Sequence, residues 1–196
     1  MNAEFAGALT AAIIGIGLAA ACGFRVFVPL LVASIAARAG HVELAAGWEW
    51  IGSTGVIAAL SIATALEIGT YYIPWLDNLL DSIATPAAVV AGILITASLT
   101  GEMSPFFRWS LAVIAGGGAA GFVQVSTAAL RAASTATTAG AANPAVSTAE
   151  AGFSLGLSVM TVLLPVAAAI MLVLIFALAA LFLYRLLAPR RTRAAH

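Results

Sequence analysis

Residues 22–29 read CGFRVFVP and place Arg25 inside one of the most apolar runs of the chain. Gly23 precedes this arginine and Pro29 follows it, so the same stretch also carries two residue types that interrupt helices. A charge at the bilayer centre costs about 2.5–3.5 kcal/mol on insertion scales, and it persists only where it is paired, reaches the interface or faces water. The arrangement of the helices therefore depends on which group compensates the charge of Arg25.

The composition indicates the solvent in which this chain folds. Of its 196 residues, 63% are hydrophobic and 8% are charged, whereas soluble domains carry about 25% charged residues. The sequence therefore predicts an integral membrane protein. The eight basic residues are all arginine and are balanced by eight acids, which gives no support for nucleic-acid binding. The abundance of alanine, glycine and arginine is typical of a bacterial genome.

A helix needs about 20 apolar residues to cross the hydrocarbon core. Five segments meet or approach this length, and they predict an all-α, polytopic membrane protein with about five transmembrane helices: residues 9–37, 51–73, 86–99, 107–130 and 152–187. The last segment is either one long helix kinked at Pro165, which we favour because no polar turn divides it, or two spans, which would make six. Residues 133–150 are too polar to span and predict an ordered loop.

We expect residues 1–188 to form a single transmembrane domain and residues 189–196 a basic cytoplasmic tail. The positive-inside rule then predicts an inner-membrane protein with a cytoplasmic C-terminus. With five spans, the loops of Arg38 and Arg108 also lie inside, and Arg131 is the exception to the rule. The N-terminus and the segments of Asp77 and Glu150 lie outside.

An internal repeat is a second prediction from the sequence. Gly23 and Phe24 align with Gly121 and Phe122 in similar small-residue contexts, which suggests repeat halves at residues 9–82 and 107–188. Because the first pair lies in span one and the second in span four, an odd number of spans later, the repeat would be inverted, and inverted repeats with broken helices recur in transporters. The alternative is that the glycines only allow helices to pack closely. The predicted helix breaks are Gly23, Pro29, Pro74, Gly116, Gly117, Gly118, Gly121 and Pro165.

Glu67 is the predicted partner of Arg25, because it also lies well inside an apolar segment. In the structural interpretation, the two residues form a buried ion pair that joins the first and second spans. In the functional interpretation, Arg25 lines a polar cavity and meets an anionic group while Glu67 binds a proton or a cation. A third alternative is that Arg25 reaches the interface.

Asp77 and Asp81 are four residues apart and therefore share a helical face, with Asn78 beside them. An amphipathic helix at the membrane interface explains this pattern. The alternative is that the carboxylates point inward and bind a cation or relay protons. The predicted substrate or ion path comprises Arg25, Glu67, Asp77, Asn78, Asp81, Gln124, Asn143 and Glu150.

Four strings resemble a bacterial membrane-protein family catalogued as domain of unknown function 4126: CGFRVFVPLL (22–31), ALEIGTYYIPWLDNLLDSIATPAAVVAG (65–92), FRWSLAVIAGGGAAG (107–121) and NPAVSTAE (143–150). The resemblance extends from about residue 9 to about residue 165. It implies a small integral membrane protein and implies no activity.

These patterns favour a small transporter or channel-like protein with a buried polar site around Arg25 and Glu67. The alternative is a non-transporting scaffold or lipid-interacting protein in which the pair is structural. The chain lacks the motifs of hydrolases, zinc proteases and phosphate-binding loops, so we expect no enzyme activity, catalytic residues, metal or cofactor. The expected partners are membrane lipids, a small solute or ion, and a second copy of the chain.

Overall fold

The computed structural model describes the backbone of residues 3–70 and 74–187, and the side chains of residues 4–70, 83–178, 180–182 and 184–185. This part of the chain is entirely helical apart from its turns and loops, as predicted. The helices are α1 (Ala3–Cys22), α2 (Phe27–Arg38), α3 (Thr54–Thr70), α4 (Pro74–Leu99), α5 (Pro105–Leu111), α6 (Gly118–Thr138), α7 (Asn143–Leu163) and α8 (Pro165–Leu187). A 3-10 turn covers Glu49–Gly52, and a π-helical stretch, Ala112–Gly117, joins α5 to α6.

Four helical segments of the described chain are long and apolar enough to cross a membrane: Glu4–Cys22, Pro105–Thr138, Asn143–Leu163 and Pro165–Phe182. Three shorter apolar helices accompany them: Phe27–Arg38, Thr54–Thr70 and Ile83–Leu99. The prediction of a polytopic helical membrane protein is therefore confirmed, although the segments are divided differently from the five predicted spans.

The first predicted span, residues 9–37, is wrong because the chain turns back within it. Ala33 and Ala36 of α2 share a core with Ile14 and Leu18 of α1, so the two helices lie side by side. The 12 residues of α2 extend for about 18 Å, which is too short for a hydrocarbon core of about 30 Å. Helices α1 and α2 form a helical hairpin, and we call residues 23–26 its tip.

The helical backbone is interrupted at Gly23, in the tip, and continues through Pro29. Pro29 is the third residue of α2, in the first helical turn, where a proline is tolerated. A Cβ atom on Gly23 would lie 2.5 Å from the carbonyl oxygen of Ala120 and 2.6 Å from Cβ of Val123. Glycine is therefore needed here for the close approach of the tip to α6.

Helix α3 runs antiparallel to α2. At one end Arg38 donates a hydrogen bond to the hydroxyl of Thr54, and at the other end Glu67 accepts hydrogen bonds from the start of α2. Helix α4 then begins at Pro74 and continues through Pro86 to Leu99. Asp77 and Asp81 therefore belong to the same helix as the third apolar segment, and their position at the membrane interface stays a prediction.

The glycine run at residues 116–118 does not end its helix, because Gly116 and Gly117 close the π-helical stretch and Gly118 opens α6 within the helical segment Pro105–Thr138. Instead, the run lets α4 approach: a Cβ atom on Gly116 would collide with the Thr96 hydroxyl, and one on Gly117 would lie 2.9 Å from Ile93. Gly121 also lies within continuous helix. The second proposed repeat half therefore lacks the break seen at Gly23, and the inverted repeat stays a prediction.

Residues 133–150, predicted as a loop, are mostly helical. Helix α6 extends to Thr138, a short turn follows at residues 139–142, and α7 begins at Asn143. Ala139 and Gly140 adopt left-handed backbone conformations in this turn. Alanine alternates here with serine and threonine, whose hydroxyls bond to carbonyls of the preceding helical turn, so the polar composition does not prevent helix formation.

The last predicted segment is divided at Pro165. A single non-helical residue, Leu164, separates α7 from α8, and Pro165 is the first residue of α8. Proline lacks the amide hydrogen that would continue α7 and clashes with the preceding turn, which explains the position of the break. The predicted tail, residues 189–196, lies outside the described residues.

Candidate functional site

The guanidinium of Arg25 lies at the tip of the hairpin, between α6 and α7, and the residue is 2% exposed. Its Nη2 donates a hydrogen bond to the backbone oxygen of Ser147 at 2.8 Å and lies 3.3 Å from Oε2 of Glu150. The predicted partner was Glu67. The structure corrects this expectation, because the ion pair that it describes is made with Glu150 of α7.

Glu150 also faces a second arginine. Oε1 of Glu150 lies 3.6 Å from Nε of Arg131 on α6, and the two residues are 3% and 4% exposed. One carboxylate therefore contacts two guanidiniums that come from different parts of the fold. We call Arg25, Arg131 and Glu150 the charged cluster.

The charged cluster lies well inside the helical bundle. Arg131 is seven residues before the end of α6, and Glu150 is seven residues after the start of α7. At 1.5 Å per residue, both are about 10 Å from the turn that joins the two helices. Charges at such a depth are usually paired and often mark solute or ion pathways.

The carboxylate of Glu67 binds backbone amides at the end of the tip and the start of α2. Its Oε1 accepts a hydrogen bond from the amide of Val26 at 2.7 Å, and its Oε2 accepts one from the amide of Phe27 at 3.0 Å. These amides open α2 and have no acceptor within that helix. The negative charge also suits the positive end of the helix dipole.

Hydroxyl groups satisfy the carbonyls on the other side of the break. Ser154 of α7 donates to the oxygen of Ala21 at 3.0 Å, and Thr127 of α6 lies 3.5 Å from the oxygen of Gly23. Gln124 is buried on α6, three residues before Thr127. Side chains from α3, α6 and α7 thus bind the backbone on both sides of the tip, and the oxygen of Ala21 also accepts hydrogen bonds from the amides of Phe24 and Arg25.

The remaining predicted path residues lie away from the charged cluster or outside the described side chains. Asn143 begins α7, and its Nδ2 donates to Thr135 at 2.9 Å, which closes the turn between α6 and α7. Asp77, Asn78 and Asp81 are in the first turns of α4, and their side chains lie outside the described residues. Groups of three or more metal-binding side chains are not found in the described part of the chain.

Sequence reasoning missed Arg131 and placed Glu150 in a loop. The missed signal is the helical spacing of polar residues after Asn143. Apolar residues occupy the opposite face of α7, where Phe153, Leu155 and Leu163 are exposed. The buried residues of α7 are Ser147, Glu150, Ser154, Leu157, Ser158 and Thr161, and five of these six are polar.

A cavity of about 550 Å³ opens at the other end of the hairpin. The first half of α1, the loop after α2 and the end of α4 form its wall, and the backbone amide of Ala45 bonds to the oxygen of Ser98 at 2.7 Å to hold the loop there. Its polar lining includes Thr10, His41, Glu43 and Glu102. The charged cluster does not contribute to the lining of this cavity.

These features define a helical membrane protein in which α6 and α7 hold the charged tip of a helical hairpin. Residues 12–185 match the sequence model of the family described as "Domain of unknown function (DUF4126)". The chain therefore belongs to this family, as its sequence resemblance suggested. No curated protein and no solved structure matches the chain.

Proposed function

We propose that the protein is a small, non-enzymatic transporter or channel-like protein whose solute or ion path passes the hairpin tip. The observation that supports this most strongly is the charged cluster, buried about 10 Å inside the bundle by helical rise and held at a break in a helix. Non-helical backbone within a membrane is tolerated where protein buries it or where it lines a water-filled path. Transporter sites commonly combine such breaks with ionisable groups.

In this proposal Arg25 and Glu150 form the centre of the path, and Gln124 and Thr127 contribute polar groups beside them. Glu67 positions the tip. Asp77, Asn78 and Asp81 remain candidates on α4, and an inverted repeat would relate the two halves of the path. The substrates we expect are small solutes or ions, with membrane lipids around the bundle and a second copy of the chain as a further partner.

We propose the inner membrane of a bacterium as the location. The end that carries Arg38 and Arg108 would face the cytoplasm by the positive-inside rule, together with the basic tail. The re-entrant hairpin changes one detail of the sequence prediction: the N-terminal part of α1 would lie on the same side as the loop after α2.

Flux measurements test the proposal. The purified chain is reconstituted into liposomes and compared with empty liposomes across a panel of inorganic ions, organic anions and amines. We expect flux of at least one solute, with loss of this flux in Arg25→Gln and retention in the matched control Arg38→Gln, which removes an arginine from the opposite end of the hairpin. Flux equal to that of empty liposomes across the panel, with folded protein, would contradict transport.

A structural scaffold is the second candidate function. It is favoured by the observation that Glu150 and the backbone oxygen of Ser147 contact the Arg25 guanidinium, while the lining of the cavity at the open end does not include these residues. A double variant, Arg25→Met with Glu150→Met, separates the two functions. The scaffold is supported if this variant regains the thermal stability that each single variant loses while the wild-type protein transports nothing.

A further inference from the structure

The buried face of α7 is polar over most of the length of the helix. Glu150, Ser154, Ser158 and Thr161 follow one another at spacings of four, four and three residues, and all are buried against the rest of the bundle. At 1.5 Å per residue, the stripe from Glu150 to Thr161 covers about 16 Å, roughly half of the hydrocarbon core. We call these four residues the α7 stripe.

Helix packing explains two of the three hydroxyls. Ser154 donates to the oxygen of Ala21, and Ser158 donates to the oxygen of Ser154. Thr161 differs from both. It is fully buried, and its Oγ1 has no hydrogen-bond partner in the described part of the chain. A buried hydroxyl without a partner is costly, so it points to a group that binds there.

The stripe leads towards the cavity at the open end of the hairpin. Thr161 packs directly against Gly17 of α1, where even a Cβ atom would lie 2.5 Å from its methyl group. Gly17, Ile14 and Thr10 are three and four residues apart and therefore share one face of α1. Ile14 and Thr10 line the cavity, so a single helix face connects the cavity to Thr161.

We propose that protons travel from this cavity along the α7 stripe to Glu150. This inference rests on the proposed transport function and names its coupling ion. His41, Glu43 and Glu102 line the cavity and give its mouth a polar surface. The stripe itself is too closely packed for a larger solute, since Ser154, Ser158 and Thr161 are all fully buried.

Hydroxyl groups suit this transfer because each one both donates and accepts. Residues four apart on a helix have Cβ atoms about 5–6 Å apart, a gap that one water molecule bridges. Each oxygen accepts one proton and passes another onward. The net result is that one proton leaves the cavity and converts the Glu150 carboxylate to a neutral carboxylic acid. Release of this proton towards the turn between α6 and α7 restores the carboxylate and completes the transfer, with no other bond changed.

Protonation of Glu150 would loosen the hairpin tip. Arg25 at the tip and Arg131 of α6 both contact this carboxylate. A neutral carboxylic acid attracts neither guanidinium as strongly as a carboxylate does. Glu150 therefore binds Arg25 tightly only when its carboxyl group carries no proton. Because the proton and Arg25 compete for this carboxylate, proton entry is coupled to movement of the hairpin.

Proton uptake by proteoliposomes tests the route. The full chain is reconstituted with a trapped pH-sensitive dye, a potassium gradient with valinomycin drives the protons, and uptake is compared with empty liposomes. We expect uptake by the wild-type protein and loss of most of it in Thr161→Val, which keeps the shape of the side chain but removes the hydroxyl. Thr148→Val is the matched control, because Thr148 is exposed on the same helix.

Glu150→Gln should also abolish uptake, but it disturbs the charged cluster, so Thr161→Val is the deciding variant. Full uptake in Thr161→Val would overturn the route. Solute flux without proton uptake would overturn the route and leave the transport proposal standing. The absence of both, in folded protein, would overturn both proposals.

Discussion

Glu150 is the residue whose replacement should destabilise the fold most, because its two oxygens face different arginines. Breaking a buried ion pair costs about 3–5 kcal/mol, since it leaves buried charge without its counterion. We expect Glu150→Gln to lower the free energy of unfolding by about this amount, and Arg131→Gln by less, because Arg25 still pairs with Glu150. Unfolding in detergent would measure both. Equal stabilities for Glu150→Gln and Thr148→Val would contradict this ranking.

The lack of room around Gly23 predicts that a larger residue there destabilises the fold. In Gly23→Ala, the new methyl group would meet the Ala120 oxygen at 2.5 Å and Val123 at 2.6 Å. Overpacking of this kind costs about 1–3 kcal/mol. Gly118→Ala is the matched control, because its methyl group would meet nothing within 4 Å, and it should stabilise the helix by about 0.4–1 kcal/mol. Melting temperatures that fall in Gly118→Ala but not in Gly23→Ala would show that the tip is not seated against α6.

At the scale of elements, Glu67 joins α3 to the start of α2 by two hydrogen bonds, one to each carboxylate oxygen. Glu67→Gln leaves one acceptor oxygen, so one of the two amides loses its partner, at a cost typical of a lost helix cap, about 1 kcal/mol. Hydrogen exchange should become faster at Val26 and Phe27 and stay unchanged in the body of α1. Ser61→Ala on the exposed face of α3 is the control. Unchanged exchange at both amides in Glu67→Gln would rule out this capping role.

The sequence predicted which segments are helical better than it predicted how they are arranged. Residues 9–37 are apolar whether they cross once or turn back, so hydropathy alone does not reveal the hairpin. Their length was the available signal: 29 residues make a helix of about 44 Å, longer than a core of about 30 Å. Pro165 was identified correctly as a division because the effect of proline on a helix is local.

The charged cluster also shows that the sequence does not give the arrangement of the segments. Burial of Arg25 was predicted from the cost of placing a charge among apolar residues, and the structure describes a buried acidic partner for it. The identity of that partner was wrong, because Glu67 lies in an apolar segment while Glu150 follows a polar one. Pairing across the fold depends on where the hairpin tip lies relative to α7, and spacing along the chain does not contain that information.

At the scale of the whole molecule, the described ionisable groups gather at two ends. The open end of the hairpin carries Arg38, His41, Glu43 and Glu102, and the tip lies with the charged cluster towards the turn between α6 and α7. The proposed path runs between these ends. If the hairpin is re-entrant, as we propose, the open end and the N-terminal part of α1 face one aqueous side, and the turn between α6 and α7 faces the other.

Cysteine labelling in the membrane tests this arrangement. Phe5→Cys, Ala46→Cys and Thr137→Cys each replace an exposed residue, and the native Cys22 is fully buried and should not react. A membrane-impermeant maleimide should label Phe5→Cys and Ala46→Cys from the same side and Thr137→Cys from the opposite side. If residues 9–37 instead crossed the bilayer once, Phe5→Cys and Ala46→Cys would react from opposite sides. That result would exclude the re-entrant hairpin. It would also contradict the proposed proton route, which begins at the cavity at the open end of this hairpin.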